Sequence, residues 1–141
     1  MGQVVFNEDT LRYVSLFQSV TKCTVVDCVE ADDKLVFVVK KGDVARAIGK
    51  KGETVAAVRR KLKREILVVE YSEVPEEFVA NVFRAYGVRK VEIEDRDGVT
   101  HATVTVSALL KGKAIGRDGK NLRLARELIL RHHPIQSVSI A

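Results

Sequence analysis

The sequence has only two cysteines, Cys23 and Cys28. They leave no room for a disulfide framework or a four-ligand zinc site, and they fit a reducing compartment. No uninterrupted apolar run approaches the ~20 residues of a membrane-spanning helix. The opening MGQVVFNEDT lacks both the basic head and the apolar stretch of a signal peptide. A soluble cytoplasmic protein with no membrane partner is expected. At 46% hydrophobic and 30% charged residues, the 141-residue chain is also neither collagen-like, mucin-like nor wholly disordered.

A large charge excess is missing too, since 24 basic residues face 19 acidic ones for a net +5. The distribution is less even than the total. Residues 40–64 hold ten basic side chains (Lys40, Lys41, Arg46, Lys50, Lys51, Arg59, Arg60, Lys61, Lys63, Arg64) against Asp43 and Glu53. Residues 111–131 hold seven (Lys111, Lys113, Arg117, Lys120, Arg123, Arg126, Arg131) against Asp118 and Glu127. The remaining residues carry seven basic and fifteen acidic side chains. Two basic islands in an acidic body are the usual footprint of a polyanion-binding surface.

A repeat accounts for the islands. Ala47-Ile48-Gly49-Lys50-Lys51-Gly52 aligns with Ala114-Ile115-Gly116-Arg117-Asp118-Gly119 at an offset of 67 residues. At that offset Arg46 meets Lys113, Arg59 meets Arg126, Leu62 meets Ile129 and Arg64 meets Arg131.

The order of expected elements repeats as well. An amphipathic helix over residues 8–20 is capped by Asn7 and buries Leu11, Val14 and Phe17. A hairpin follows, with strands at Thr24–Glu30 and Leu35–Lys40 around Asp32-Asp33. Helices at Asp43–Ile48 and Glu53–Arg64 flank Gly49-Lys50-Lys51-Gly52, and Ile66–Tyr71 is a strand. In the second half a helix starts at Pro75 and ends at Gly87, with Phe78, Val79, Val82, Phe83 and Tyr86 on its apolar face. Val91 and Ile93 alternate with charged residues, Asp97-Gly98 turns the chain, and Ala102, Val104 and Val106 mark the next strand. A helix over Lys120–Arg131 and a strand with Ile135, Val138 and Ile140 close the unit.

At these residues the sequence resembles a known family. Ile48-Gly49-Lys50-Lys51-Gly52-Glu53-Thr54-Val55 and Ile115-Gly116-Arg117-Asp118-Gly119-Lys120-Asn121-Leu122 are similar to the I-G-x-x-G signature of KH domains. The resemblance implies an α+β chain of two tandem type II KH domains, residues 1–72 and 73–141. Each would be α-β-β-α-α-β, with a three-stranded mixed sheet packed on helices. The run AIGRDGKNLRLAREL is similar to the last KH repeat of the NusA family, and two such units together resemble its archaeal members. That likeness implies a factor in transcription elongation, termination or antitermination that binds single-stranded RNA, with single-stranded DNA as the alternative ligand and RNA polymerase as a further partner. The two units contain neither the amino-terminal polymerase-binding domain nor the OB-type domain of bacterial members, so RNA binding is the expectation the motif itself carries. A monomer without cofactor or metal is expected.

The residue types suit that ligand. Two glycines three apart turn the backbone with no Cβ in the way, and the loop opens onto a helix start whose amides and dipole favour a phosphate. KH loops clamp about four nucleotides. By resemblance Ile48 and Ile115 lie at the base of a groove for the bases, with Val44, Ala45 and Ala114 nearby; as apolar residues they read equally well as core. Thr54 and Asn121 either donate to the ligand or bond the backbone of their own helix turn. Arg59, Arg60, Lys61, Lys63 and Arg64 read by default as a solvated face, and beside the loop as electrostatic support. The expected RNA-binding set is Ile48, Gly49, Lys50, Lys51, Gly52, Thr54 and Arg59, then Ile115, Gly116, Arg117, Asp118, Gly119, Lys120, Asn121 and Arg123. Asp118 goes against the pattern: a like charge ~6 Å from a phosphate costs roughly 1 kcal/mol at a near-surface dielectric constant of ~50. The first loop is therefore expected to anchor RNA and the second to set register or sequence choice.

Enzyme readings fail on spacing. Gly42 and Gly49 do not form a P-loop, because Lys50 is followed by Lys51 and not by Ser or Thr. Asp95-Arg96-Asp97-Gly98 lacks the later ligands of a calcium loop and reads as a hairpin turn. His132 and His133 precede Pro134 at a helix end, where the dipole favours them. Cys23 and Cys28 fall on opposite faces of a regular strand, which argues against a joint metal site. The competing function is an interaction scaffold on polymerase or ribosomal machinery that uses the acidic body.

Overall fold

The computed structural model describes residues 7–141, which divide into two compact units meeting in sequence between Ser72 and Glu73. In the first, α1 (Glu8–Thr21) begins where Asn7 Oδ1 accepts from the Thr10 amide at 2.8 Å and ends at Lys22 in the left-handed conformation. Strands β1 (Val25–Glu30) and β2 (Lys34–Val39) pair antiparallel, and β3 (Glu65–Glu70) adds to β2 in parallel. A parallel neighbour cannot be reached by a tight turn, so the chain crosses over the sheet. Residues 40–64 make that crossing with α2 (Val44–Ile48) and α3 (Glu53–Leu62).

The second unit repeats the arrangement. Its elements are α4 (Pro75–Val82), β4 (Val88–Arg96), β5 (Val99–Val106), α5 (Lys111–Ile115), α6 (Lys120–His132) and β6 (Ser137–Ile140). The sheet order is β4-β5-β6, antiparallel then parallel. Both units are thus α-β-β-α-α-β with a three-stranded mixed sheet. The Asp97-Gly98 turn takes positive φ at both positions, 53° and 85°, as a two-residue hairpin between right-twisted strands requires.

The central strand of the first unit is its apolar spine, with Leu35 to Val39 fully buried. On it Phe37 stacks with Phe17 of α1, ring centroids 4.1 Å apart and planes within 13°. Aromatic pairs of this kind contribute about 1 kcal/mol beyond their burial. In the second unit Phe78 and Val79 of α4, Ala102 and Val104 of β5, and Leu128 and Ile129 of α6 are buried.

Several local expectations change. The helix after Pro75 does not reach Gly87: it stops at Val82, and Arg84–Tyr86 continues as a single tighter turn before Gly87 at φ 69°. Cys23 and Cys28 do not face opposite ways but join one core, because Cys23 precedes β1 and a register shift between Val25 and Asp27 breaks the alternation. Leu11 is not buried in α1 but exposed, and His132 and His133, which do stand at the last turn and C-cap of α6, are core residues as well. Both histidines are buried, with ring centroids 5.4 and 5.3 Å from that of Phe78.

Candidate nucleic-acid interface

Each crossover is interrupted by the glycine-framed loop, and the two loops have the same backbone. Gly49 (φ 77°, ψ 173°) corresponds to Gly116 (79°, 170°), Lys51 (56°, 25°) to Asp118 (56°, 27°), and Gly52 (75°, 14°) to Gly119 (74°, 15°). The Gly52 amide donates to Gly49 O and the Gly119 amide to Gly116 O, each at 3.1 Å. Lys50 and Lys51 in one loop and Arg117 and Asp118 in the other take one conformation, so the conformation is built into the motif.

The glycines divide the work. Gly49 and Gly116 occupy a region open to glycine alone, and a Cβ on them would also collide with the next helix. At Gly49 it would lie 2.2 Å from Thr54 Oγ1 and 2.9 Å from the Thr54 amide nitrogen; at Gly116, 2.9 Å from Asn121 Cγ. Gly52 and Gly119 are the N-cap residues of α3 and α6, with positive φ and no capping side chain. A Cβ on Gly52 would meet nothing within 4 Å. The first turns of α3 and α6 therefore face outward uncapped, where amides and dipole favour an anion. Lys50, Lys51, Arg117 and Asp118 are exposed around them.

Of the expected site residues, Ile48 is 36% exposed and Ile115 half-buried, while the adjacent Ala47 and Ala114 are fully buried. The core position before each loop is thus filled by alanine, not isoleucine. Asn121 does not bond within its own helix turn alone: its Nδ2 donates to Lys113 O at 2.8 Å, tying α6 back to α5 across the loop. Arg123 donates from Nη1 to the carbonyl of Asp118, fastening the loop from the far side. Asp118 itself sits in the left-handed region, which Asp adopts more readily than most residues. These fastenings were signalled in the sequence only by the 67-residue offset that pairs Thr54 with Asn121.

The basic run of α3 is less uniform than its composition. Arg64 is a tether: it pairs with Glu30 at 2.8 Å and donates to the carbonyls of Ala31 and Lys34. Arg59 Nε donates to Glu65 Oε1 at 2.7 Å, and this bond holds the Glu65 carboxyl below its ordinary 4.5, with burial opposing and the Ile66 amide assisting. The pair contributes stability above the ordinary value and loses it as pH falls through the lowered one; at this exposed site the contribution is small. Arg59→Gln is expected to return the Glu65 titration toward 4.5, measured by carboxyl-carbon NMR. An unchanged titration would mean that Arg59 does not set it.

A doubled glycine loop opening onto an uncapped helix, set in the crossover of a three-stranded mixed sheet, defines a tandem KH protein. The sequence comparisons agree: residues 12–75 match the KH domain family and residues 75–141 the NusA-like second KH domain. The chain belongs to the NusA family. It is similar to the probable transcription termination protein NusA of Halococcus morrhuae, at 35% identity over 99% of both chains, and to that of Thermoplasma acidophilum, at 29% over 99% of this chain and 97% of the relative. Among solved structures it is similar to the crystal structure of APE1850, at 34% identity and a TM-score of 0.76, covering 96% of this chain and all of that one.

Proposed function

We propose that the chain binds single-stranded RNA at its two loops and acts, by binding and not by catalysis, as a NusA-type factor in transcription elongation, termination or antitermination. The observation that carries this reading is the matching backbone of Gly49–Gly52 and Gly116–Gly119, each presenting an uncapped helix start beside exposed basic residues. In this reading Gly49, Lys50, Lys51 and Gly52, with Gly116, Arg117, Gly119 and Lys120, receive the phosphates, and Ile48 and Ile115 meet the bases. Asn121 and Arg123 hold the second loop in shape, Thr54 lies against Gly49 in the first, and Arg59 contributes only by releasing Glu65.

Filter binding of a short unstructured RNA across a salt series tests it. Retention is expected to fall with salt at a log–log slope of about −0.7 per phosphate contact. Gly52→Asp, whose side chain enters open space at the mouth of α3, is expected to weaken binding about tenfold through charge at the phosphate site, since charge-assisted hydrogen bonds of about 1.5 kcal/mol are at stake. Absence of salt-dependent retention of any RNA would overturn the reading in favour of a protein-interaction scaffold.

A further inference from the structure

The two loops share a backbone but distribute their charges differently. Residues 49–56 carry Lys50, Lys51 and Glu53, a net +1, whereas residues 116–123 carry Arg117, Asp118, Lys120 and Arg123, a net +2. The acid of the second loop therefore does not leave its surroundings short of positive charge. At the 67-residue offset Asp118 stands where the first unit has Lys51, and Arg123 stands where it has Ala56. The cation missing from the second loop is present on the helix that follows.

The fold brings that cation back to the loop. Arg123 lies on α6 one turn past Gly119, and its Nη1 donates to the backbone carbonyl of Asp118. A Cβ on Gly119 would lie 3.3 Å from the same Nη1, while one on Gly52 would meet nothing within 4 Å. The guanidinium thus stands at the uncapped start of α6, and the matching space at the start of α3 is open. Its bond is to a backbone oxygen, so it does not depend on which side chain occupies position 118. One N–H of the guanidinium is used, and the rest of the donor fork, on an exposed side chain, is left for anion oxygens.

Fastening alone does not explain why an arginine is there. The first loop takes the same conformation, with Lys51 at φ 56° and ψ 25° against Asp118 at 56° and 27°, although the methyl of Ala56 can hold nothing. The charge of Arg123 is what the first loop has no need of, because Lys51 already supplies it. We propose that Arg123 is the phosphate-receiving cation of the second loop, moved to the helix from the place that Lys51 fills in the first, and that it offsets Asp118. The inference rests on the RNA-binding reading and adds to the fastening a charge that the ligand meets. A guanidinium already tied to the loop has less side-chain freedom to lose on meeting a phosphate, and its planar fork suits two oxygens at once.

Filter binding of the full chain to an eight-nucleotide RNA across a salt series tests it, with chemical denaturation of the same proteins. Arg123→Ala is expected to weaken binding about tenfold, as loss of one charge-assisted hydrogen bond implies, and to flatten the log–log salt slope by about 0.7. In the Asp118→Lys background, where the loop regains a cation of its own, the same substitution is expected to cost only about twofold, because the two cations substitute for each other. The transplant into the first unit is expected to mirror this: Lys51→Asp weakens binding about tenfold, and adding Ala56→Arg recovers most of the loss. A salt slope unchanged by Arg123→Ala, or equal losses in the two backgrounds, would leave Arg123 as a fastening alone and overturn the proposal. If the wild type binds RNA and Arg123→Ala binds equally well, the relocated cation is refuted while RNA binding stands. If the wild type binds no RNA, both fall together.

Discussion

Reversing both lysines of the first loop, Lys50→Asp with Lys51→Asp, is expected to weaken binding of a short single-stranded RNA about a hundredfold without lowering the unfolding midpoint. The affinity estimate takes two charge-assisted hydrogen bonds at about 1.5 kcal/mol each. The tolerance of the fold has a structural precedent in the same molecule. Both lysines are exposed, and the position of Lys51, φ 56° and ψ 25°, is held in the second loop by Asp118 at 56° and 27°. The salt slope is expected to flatten by about 1.4 as two phosphate contacts disappear. The reciprocal change, Asp118→Lys, is expected to tighten binding several-fold by removing a repulsion of roughly 1 kcal/mol. Filter binding and chemical denaturation on the same preparations read both quantities. Intact affinity in the double reversal, together with its loss in Gly119→Asp, would transfer the anchoring role to the second loop.

Gly49→Ala is expected to unfold the first unit far more readily than Gly52→Ala, although the two glycines are three residues apart in one loop. At Gly49 two costs coincide: a backbone region open only to glycine, about 1–3 kcal/mol, and a Cβ placed 2.2 Å from Thr54 Oγ1 and 2.9 Å from its backbone nitrogen. Together they come to about 3 kcal/mol or more. In a domain of ~70 residues that lowers the midpoint by roughly 12–24 °C. At Gly52 only the left-handed conformation is penalised, about 1 kcal/mol, because its Cβ meets open space. The same order is expected for Gly116→Ala over Gly119→Ala, with the first also displacing the Asn121 amide from Lys113 O. Equal losses at Gly49 and Gly52 in thermal unfolding would contradict the division of labour between them.

The fold was largely legible in the sequence because its signals are local and repeated. A continuous apolar run marks β2 and alternating apolar residues mark β5, Asn7 and Pro75 mark helix starts, and the doubled Ala-Ile-Gly-x-x-Gly sets the two units in register. What stayed hidden depended on contacts between distant residues. Nothing near Arg64 in sequence says that its guanidinium is spent on Glu30, Ala31 and Lys34, so a tether was indistinguishable from a solvated cation. His132 and His133 likewise meet Phe78 only after α6 packs on α4. Periodicity could not show the register shift between Val25 and Asp27 that brings Cys23 and Cys28 into one core. Tyr86 reads from its spacing as one more apolar residue of a long helix. The end of α4 at Val82 puts it instead in the tight turn that follows.

The connection that carries the chain from β2 to its parallel partner β3 consists of residues 40–64, and these same residues bear ten positive charges and two negative ones. Closing the parallel ladder holds that like charge closer together than the unfolded chain does, although Arg46, Arg59 and Arg64 pair with Asp43, Glu65 and Glu30. Folding of the free protein thus works against its own repulsion, and a polyanion seated on the crossover removes that opposition in the native state alone. Any such partner is a folding ligand, stabilising by RT ln(1 + [L]/Kd). On the RNA-binding reading, scarcity of the nucleic acid makes the protein easier to unfold.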